Sequence, residues 1–346
     1  MFEIDLHDLA AILLHEWSLF EERFLHSKLV EVTNGSHPTK ALPDHVNLPI
    51  LTSLLLGGRP CRAYFLQDEN IPDTPPTDAF AFKHKDYTSR TQFSETDIES
   101  MFWEIKNHDR GFVLANAMQL VLDSLPASTN VRIRTSQGYS LVCPAQEFAI
   151  ANLDVLPHRT CYIANITKLP PPAEPTQIGL SQFVTGENGD FPWVYLVFGG
   201  PGVAHSEAEF DGRVALDLAS PLLAGMRGLG EECFSLEKMY DYHTKCIPRG
   251  GEEMPTDMYL SGRIGSVRQP KRPEQVQLAM ELAERVKGRV TRKMSGGEKS
   301  CGYCGKNGPK FKCNRCKAAL YCDGRCQTMG WKYHKRWCKQ DAGSKS

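Results

Sequence analysis

Eight soft or borderline metal ligands crowd into residues 301–338, and their spacing constrains this chain more than any other feature. The run reads Cys301-x2-Cys304-x8-Cys313-x2-Cys316-x5-Cys322-x3-Cys326-x7-His334-x3-Cys338. A tetrahedral zinc ion takes four such ligands, so eight define two closed sites. The two C-x2-C pairs suit tight knuckle turns, in which one turn supplies two thiolates to one metal. Cys322/Cys326 and His334/Cys338 are spaced i, i+4 and can project from one face of a helical turn. Spacing leaves two pairings open: the first four and last four ligands used in sequence, or the pairs interleaved. Apart from Leu320 the segment has almost no aliphatic residues. Its folding free energy must therefore come from the metal, about 10–16 kcal/mol per structural zinc, and the metal-free tail is expected to be unfolded.

The rest of the chain is of a different kind. Of 12 Cys in 346 residues, the other five (Cys61, Cys143, Cys161, Cys233, Cys246) are scattered. Residues 301–346 carry 11 Lys and Arg against 2 acids, a net of +9, while the remaining 300 residues carry 29 basic and 39 acidic groups, a net of −10. Seven thiolates and two zinc ions would bring the tail to about +6. With 41% hydrophobic and 23% charged residues, the composition excludes wholesale disorder, collagen and a coiled-coil rod. The start, Met1-Phe2-Glu3-Ile4-Asp5, lacks the basic region of a signal peptide, and no apolar run approaches the roughly 18–20 residues of a membrane span. The reading is an intracellular protein, nucleus or cytoplasm not resolved, whose clustered Cys bind metal and do not form disulfides.

Hydrophobic patterning makes the body α+β, with no internal repeat. Leu6, Leu9, Leu13, Trp17, Phe20 and Phe24 recur at helical spacing, which predicts one long core helix through the first 34 residues. Residues 34–49 read as turns, 50–56 as a short apolar run and 68–76 as a surface loop. Thr96-x-x-Glu99 predicts a capping box opening a helix to 107, followed by a helix over 112–125. Alternation of Val131, Ile133 and Thr135 with Arg132 and Arg134, then Gly138 and a run over 139–143, predicts a hairpin. Strands are expected over 161–166 and 193–198, and helices over 206–218, 231–243 and 273–286. The expected layout is the acidic body over 1–290, with a subdivision near 170–176 at Pro170-Pro171-Pro172. A Gly-containing linker over 291–300, a finger over 301–338 and a disordered tail over 339–346 complete it.

Chemical signals in the body are weak. Gly199-Gly200-Pro201-Gly202 has no Lys where a phosphate loop needs one, and reads as a strand-ending turn. His243-x-x-Cys246 has ligand spacing but no second pair beside it in sequence, and reads as structural. Asn165-x-Thr167 matches a glycosylation acceptor, without meaning in a chain that is not secreted. The basic runs at 271–272 and 289–293 read equally as import signals or as solvated linker.

In the tail, Tyr321-Cys322, Cys326-Gln327 and Trp331-x2-His334-x3-Cys338 closely resemble a MYND-type zinc finger, a likeness confined to residues 301–338. The resemblance implies the interleaved arrangement. Cys301, Cys304, Cys322 and Cys326 would hold the first of two structural zincs, and Cys313, Cys316, His334 and Cys338 the second, in a small cross-brace of hairpins and a helix. It also implies a protein-interaction module that takes short Pro-containing peptides of transcriptional regulators along a strand edge, with Gln327 and Trp331 as peptide-binding positions. An indole offers proline a flat platform, and a Gln amide can both donate to and accept from backbone. Alternatively, Trp331 packs over the knuckle and Gln327 caps a turn. Some proteins with this finger are SET-domain lysine methyltransferases, and Gly251-Glu252-Glu253 with Tyr259 faintly resembles one SET motif. However, Asn107-His108 continues Asp109-Arg110, so the Asn-His-x-Cys element is missing. A nucleic-acid-binding zinc protein is the other alternative, but the basic patch has no interleaved aromatics. The expectation is therefore a non-enzymatic zinc adaptor with a protein partner, no catalytic residue assigned and no membrane partner. The oligomeric state is left open.

Overall fold

The computed structural model describes residues 2–24, 27–33, 60–68, 93–168, 178–185, 191–200, 212–219, 227–253, 259–261 and 272–339. The expected turns at 34–49, the run at 50–56, nearly all of the 68–76 loop, the subdivision at 170–176 and residues 340–346 lie outside them.

The first 34 residues are not one helix. They form strand β1 (Phe2–Asp5), helix α1 (Leu6–Phe20), a short 3-10 turn at Glu22–Phe24 and strand β2 (Ser27–Thr33). Asp5 starts α1 by accepting the backbone N–H of His7, an N-cap that the apolar stripe conceals. Glu21 ends it, and Ser-Lys-Leu-Val-Glu-Val-Thr then favours extended backbone through its β-branched residues. Helix α1 is buried on nearly every side, and the Trp17 indole donates to Asn107 Oδ1 at 3.0 Å. It is a core helix, as its stripe implies.

Four more helices matter here: α2 (Glu95–Lys106), α3 (Gly111–Asp123), α4 (Pro273–Met294) and α5 (Gly324–Trp337). The capping box of α2 is formed by Ser94 and Asp97, two residues before the expected Thr96/Glu99 pair. Glu99 faces inward and is buried. Helix α4 extends eight residues past the expected end at 286 and so takes in the first part of the expected linker. The turn that follows is anchored: the N–H groups of Gly297 and Glu298 donate to the Arg292 carbonyl, and the buried Glu298 carboxylate receives Arg289 Nε at 2.6 Å.

The strands, in chain order after β2, are β3 (Cys61–Asp68), β4 (Thr129–Arg134), β5 (Ser140–Pro144), β6 (Phe148–Pro157), β7 (Thr160–Lys168), β8 (Ile178–Thr185), β9 (Phe191–Phe198), β10 (Val214–Asp217), β11 (Ser235–Lys238), β12 (Gly251–Glu253), β13 (Tyr259–Ser261), β14 (Phe311–Lys312) and β15 (Leu320–Tyr321). They make a three-stranded sheet β1-β4-β5, a four-stranded sheet β2-β3-β7-β8, and a larger sheet β11-β10-β9-β6-β12 with β13 also on β6. The expected hairpin is β4-β5, paired from Asn130↔Pro144 to Arg134↔Ser140.

Of the helix expected over 206–218, residues 206–211 lie outside the described residues and the rest is corrected by β10; the first half of that expected over 231–243 is corrected by β11. β10 lies between β9 and β11 and is fully buried, so its Val-Ala-Leu-Asp sequence shows no period-two alternation. Helix resumes only at Met239, through a π-helical turn at Tyr242–Cys246. The body is thus α+β, with α1 at its centre against α4 and β4.

Candidate metal centre

The finger is built from two knuckles, a two-stranded ribbon and one helix. In the first knuckle Gly305 N–H donates to the Cys301 carbonyl at 3.1 Å and Cys301 N–H to the Lys306 carbonyl at 2.9 Å. In the second, Lys317 N–H donates to the Cys313 carbonyl and Cys313 N–H to the Ala319 carbonyl, both at 2.9 Å. The residue after each second Cys is left-handed, Gly305 at φ 71° and Lys317 at φ 55°. Lys317 is exposed and bears the strain. Gly305 cannot be replaced so freely, because a Cβ there would lie 2.1 Å from the Ala11 carbonyl oxygen on α1. The ribbon pairs Phe311↔Tyr321 and Lys312↔Leu320.

Helix α5 brings the remaining ligands. Asp323 caps it by accepting the Cys326 N–H at 2.8 Å. Cys322 precedes that cap and Cys338 is the C-cap, so the two i, i+4 pairs straddle the helix ends and are not confined to single turns.

The ligands gather in two groups, Cys301/Cys304/Cys322/Cys326 and Cys313/Cys316/His334/Cys338, with all ligand atoms of a group within 4.8 Å of one another. The pairs therefore interleave. Within the first group Cys304 Sγ lies 3.7 Å from Cys322 Sγ and 3.8 Å from Cys326 Sγ. In the second, Cys313 Sγ is 3.7 Å from Cys338 Sγ and Cys316 Sγ is 3.4 Å from His334 Nε2. A tetrahedron with zinc–sulfur bonds of about 2.3 Å and zinc–nitrogen bonds of about 2.0–2.1 Å has edges of about 3.8 Å (S–S) and 3.6 Å (S–N). These sites fit that size, and the separations are far beyond a disulfide of about 2.0 Å. With four protein donors each, both sites are closed and suit structural Zn2+. The small core between them consists of Cys and Tyr, with Tyr303 and Tyr321 buried.

The finger is docked on the body by side chains whose roles have no local signal in the sequence. Tyr303 OH donates to the buried Glu99 carboxylate on α2 at 2.7 Å, and Arg227 Nη2 donates to Tyr303 OH at 2.5 Å. Arg325 reaches Glu95 at 3.1 Å and Glu99 at 3.7 Å. Beside them, burial pushes the Cys233 thiol up to about 12, which keeps it protonated. On the other flank the buried Arg289 of α4 joins Glu298 at 2.6 Å, Glu16 at 3.0 Å and the Gly305 carbonyl at 2.7 Å. The Tyr333 ring stacks on His7 at 3.8 Å, the Trp337 indole donates to the Thr135 carbonyl at 3.1 Å, and Lys332 pairs with Glu231.

The two expected peptide-binding positions both lie on α5. Trp331 is 39% exposed, with its ring centroid 5.8 Å from that of His334, and Gln327 is half-buried. Trp331 therefore flanks the second site from outside and does not form part of the finger's buried core. The weak signals in the body have structural explanations. His243 Nε2 lies 2.9 Å from the Tyr195 hydroxyl, Cys246 is buried, and Gly199 and Gly200 end β9 with positive φ. Gly251 lies where a Cβ would meet Leu156 O at 2.4 Å, and Gly251–Glu253 is an edge strand on β6. Among the described residues, only the two finger groups bring three or more His, Cys, Asp or Glu ligand atoms together. No helix among them is long and apolar enough to cross a membrane.

Two interleaved four-ligand sites joined by a ribbon and a helix define a two-zinc cross-brace finger. Residues 301–338 match the family model of the MYND finger, so this segment is a MYND finger. Such fingers are in general protein-interaction modules. No solved structure matches the chain.

Proposed function

We propose that this protein is a zinc-dependent adaptor that uses its docked finger to recruit a partner protein through a short, proline-containing peptide. One observation carries the reading: the Trp331 indole is held outward beside the second zinc site, while Tyr303, Tyr321 and Tyr333 of the finger are buried. An exposed indole on a rigid helix gives an apolar platform at little entropic cost. Gln327, one turn before Trp331, supplies an amide for peptide backbone. The ribbon adds a strand edge: β14 pairs only with β15 among the described residues, which leaves its outer side for β-augmentation. The zincs take no part in chemistry; they fix the helix and ribbon that form the platform. Transcriptional regulators are the partner class that the finger's resemblance implies.

Hydrogen exchange of the zinc-loaded full chain tests this reading. Adding a proline-containing peptide should slow exchange in residues 311–312 and 324–337. Protection confined to the body would refute the assignment.

A further inference from the structure

Apart from the half-buried Lys306, the cations of the finger divide into two sets. Those turned toward the body are matched: Arg325 by Glu95 and Glu99, and Lys332 by Glu231. Those turned outward are not. Lys310, Lys312, Arg315, Lys317, Lys335 and Arg336 are exposed, and none has an ion pair among the described residues. Between 301 and 339 the only acid is Asp323, whose carboxylate caps α5.

Several of these cations sit on the elements that carry or neighbour the exposed indole. Trp331 is 5.8 Å from His334 between ring centroids, and His334 is 3.4 Å from Cys316, which Arg315 and Lys317 flank in the second knuckle. Lys335 follows Trp331 by one helical turn, and Lys310 and Lys312 bracket the exposed Phe311 at the ribbon edge. Offsetting the metal centres does not account for so many. Seven thiolates and two zincs leave the two sites at a net −3 together, against six outward cations. Among the described residues, the body acids that pair with finger cations are Glu95, Glu99 and Glu231, all on the inner face.

We infer that the recruited segment is acidic: a short peptide with an apolar, proline-bearing centre on Trp331 and Asp or Glu flanks against the unpaired Lys and Arg. This rests on the reading that the finger binds a peptide, and adds its charge. Complementary charge speeds encounter and rejects wrong partners more than it adds raw affinity. Nucleic acid would also be drawn to these cations. The exposed apolar ring beside an open strand edge favours a peptide.

The test uses the zinc-loaded full chain and fluorescent peptides with a common proline-containing apolar centre and flanks of Asp/Glu, Asn/Gln or Lys/Arg. At about 0.1 M salt the acidic peptide should bind about tenfold tighter than the amide one, and the gap should narrow at about 0.5 M. Lys335→Glu with Arg336→Glu, or Lys310→Glu with Lys312→Glu if the first pair loses zinc, should abolish the gap while the amide peptide still binds. Equal binding of acidic and amide peptides would overturn the acidic partner and leave the peptide reading standing. If Trp331→Ala with two zincs bound leaves every peptide unaffected, both readings fail. A single-stranded oligonucleotide that outcompetes the acidic peptide and does not require Trp331 would replace it with nucleic acid.

Discussion

Gly305→Ala tests whether the finger is a docked part of the body or a separate unit on a tether. A left-handed backbone costs a Cβ-bearing residue about 1–2 kcal/mol, and the second knuckle already bears that strain at Lys317. The first knuckle adds a collision. The new Cβ would lie 2.1 Å from the Ala11 carbonyl oxygen, 2.4 Å from its carbon and 2.7 Å from Ile12 N. All three are backbone atoms of a buried helix, so no side chain can rotate away. Overpacking of this kind costs about 1–3 kcal/mol, which brings the total to about 2–5 kcal/mol. Urea unfolding of the zinc-loaded chain should show a loss of that size, with two zincs still bound and faster hydrogen exchange in α1 and residues 301–305. Lys317→Gly is the control. It relieves the same backbone strain on an exposed turn and should be neutral or stabilising by up to about 1 kcal/mol. Wild-type unfolding by Gly305→Ala would refute the docking geometry.

Two further perturbations, metal removal and a pH titration, have defined outcomes. Chelation should unfold residues 301–338, seen as lost circular dichroism restored by zinc, and should lower the body's melting temperature because Glu99, Arg227 and Arg289 lose finger partners. An unchanged body melt would separate the two. Burial raises the Glu237 carboxyl from 4.5 to about 8, while Ser136 donates to it at 2.6 Å. A carboxyl with a raised folded pKa holds its proton after the unfolded chain has lost it. Its stabilisation is complete below about 4.5 and declines as pH rises toward 8, by up to about 1.4 kcal/mol per pH unit. Glu237→Gln should therefore show a flatter fall than wild type across that window, and parallel curves would contradict the buried neutral acid.

The metal ligands were legible because short-range spacing encodes them. Four-donor chemistry gives two sites from eight ligands, but only the resemblance, and then the geometry, decides that Cys301 shares a metal with Cys322 and not with Cys313. The anchors were not legible. Glu99 and Tyr303 meet across 204 residues of chain, and neither carries a mark of its partner. In the body, hairpin β4-β5 was readable because alternation reflects one buried face. β10 was not, since a strand buried on both faces has no period. The N-terminal stripe overruns the helix because helical spacing records which side is buried and not where the caps lie: Asp5 starts α1 and Glu21 ends it.

The central claim is that Trp331 is the anchor for a recruited peptide, and its removal tests that claim most directly. A calorimetric titration of a proline-containing acidic peptide into the zinc-loaded full chain, wild type against Trp331→Ala with two zincs confirmed in each, gives the measurement. The account predicts a loss of about 2 kcal/mol or more, in the range of a buried aromatic anchor. Equal affinity for the two proteins would contradict it.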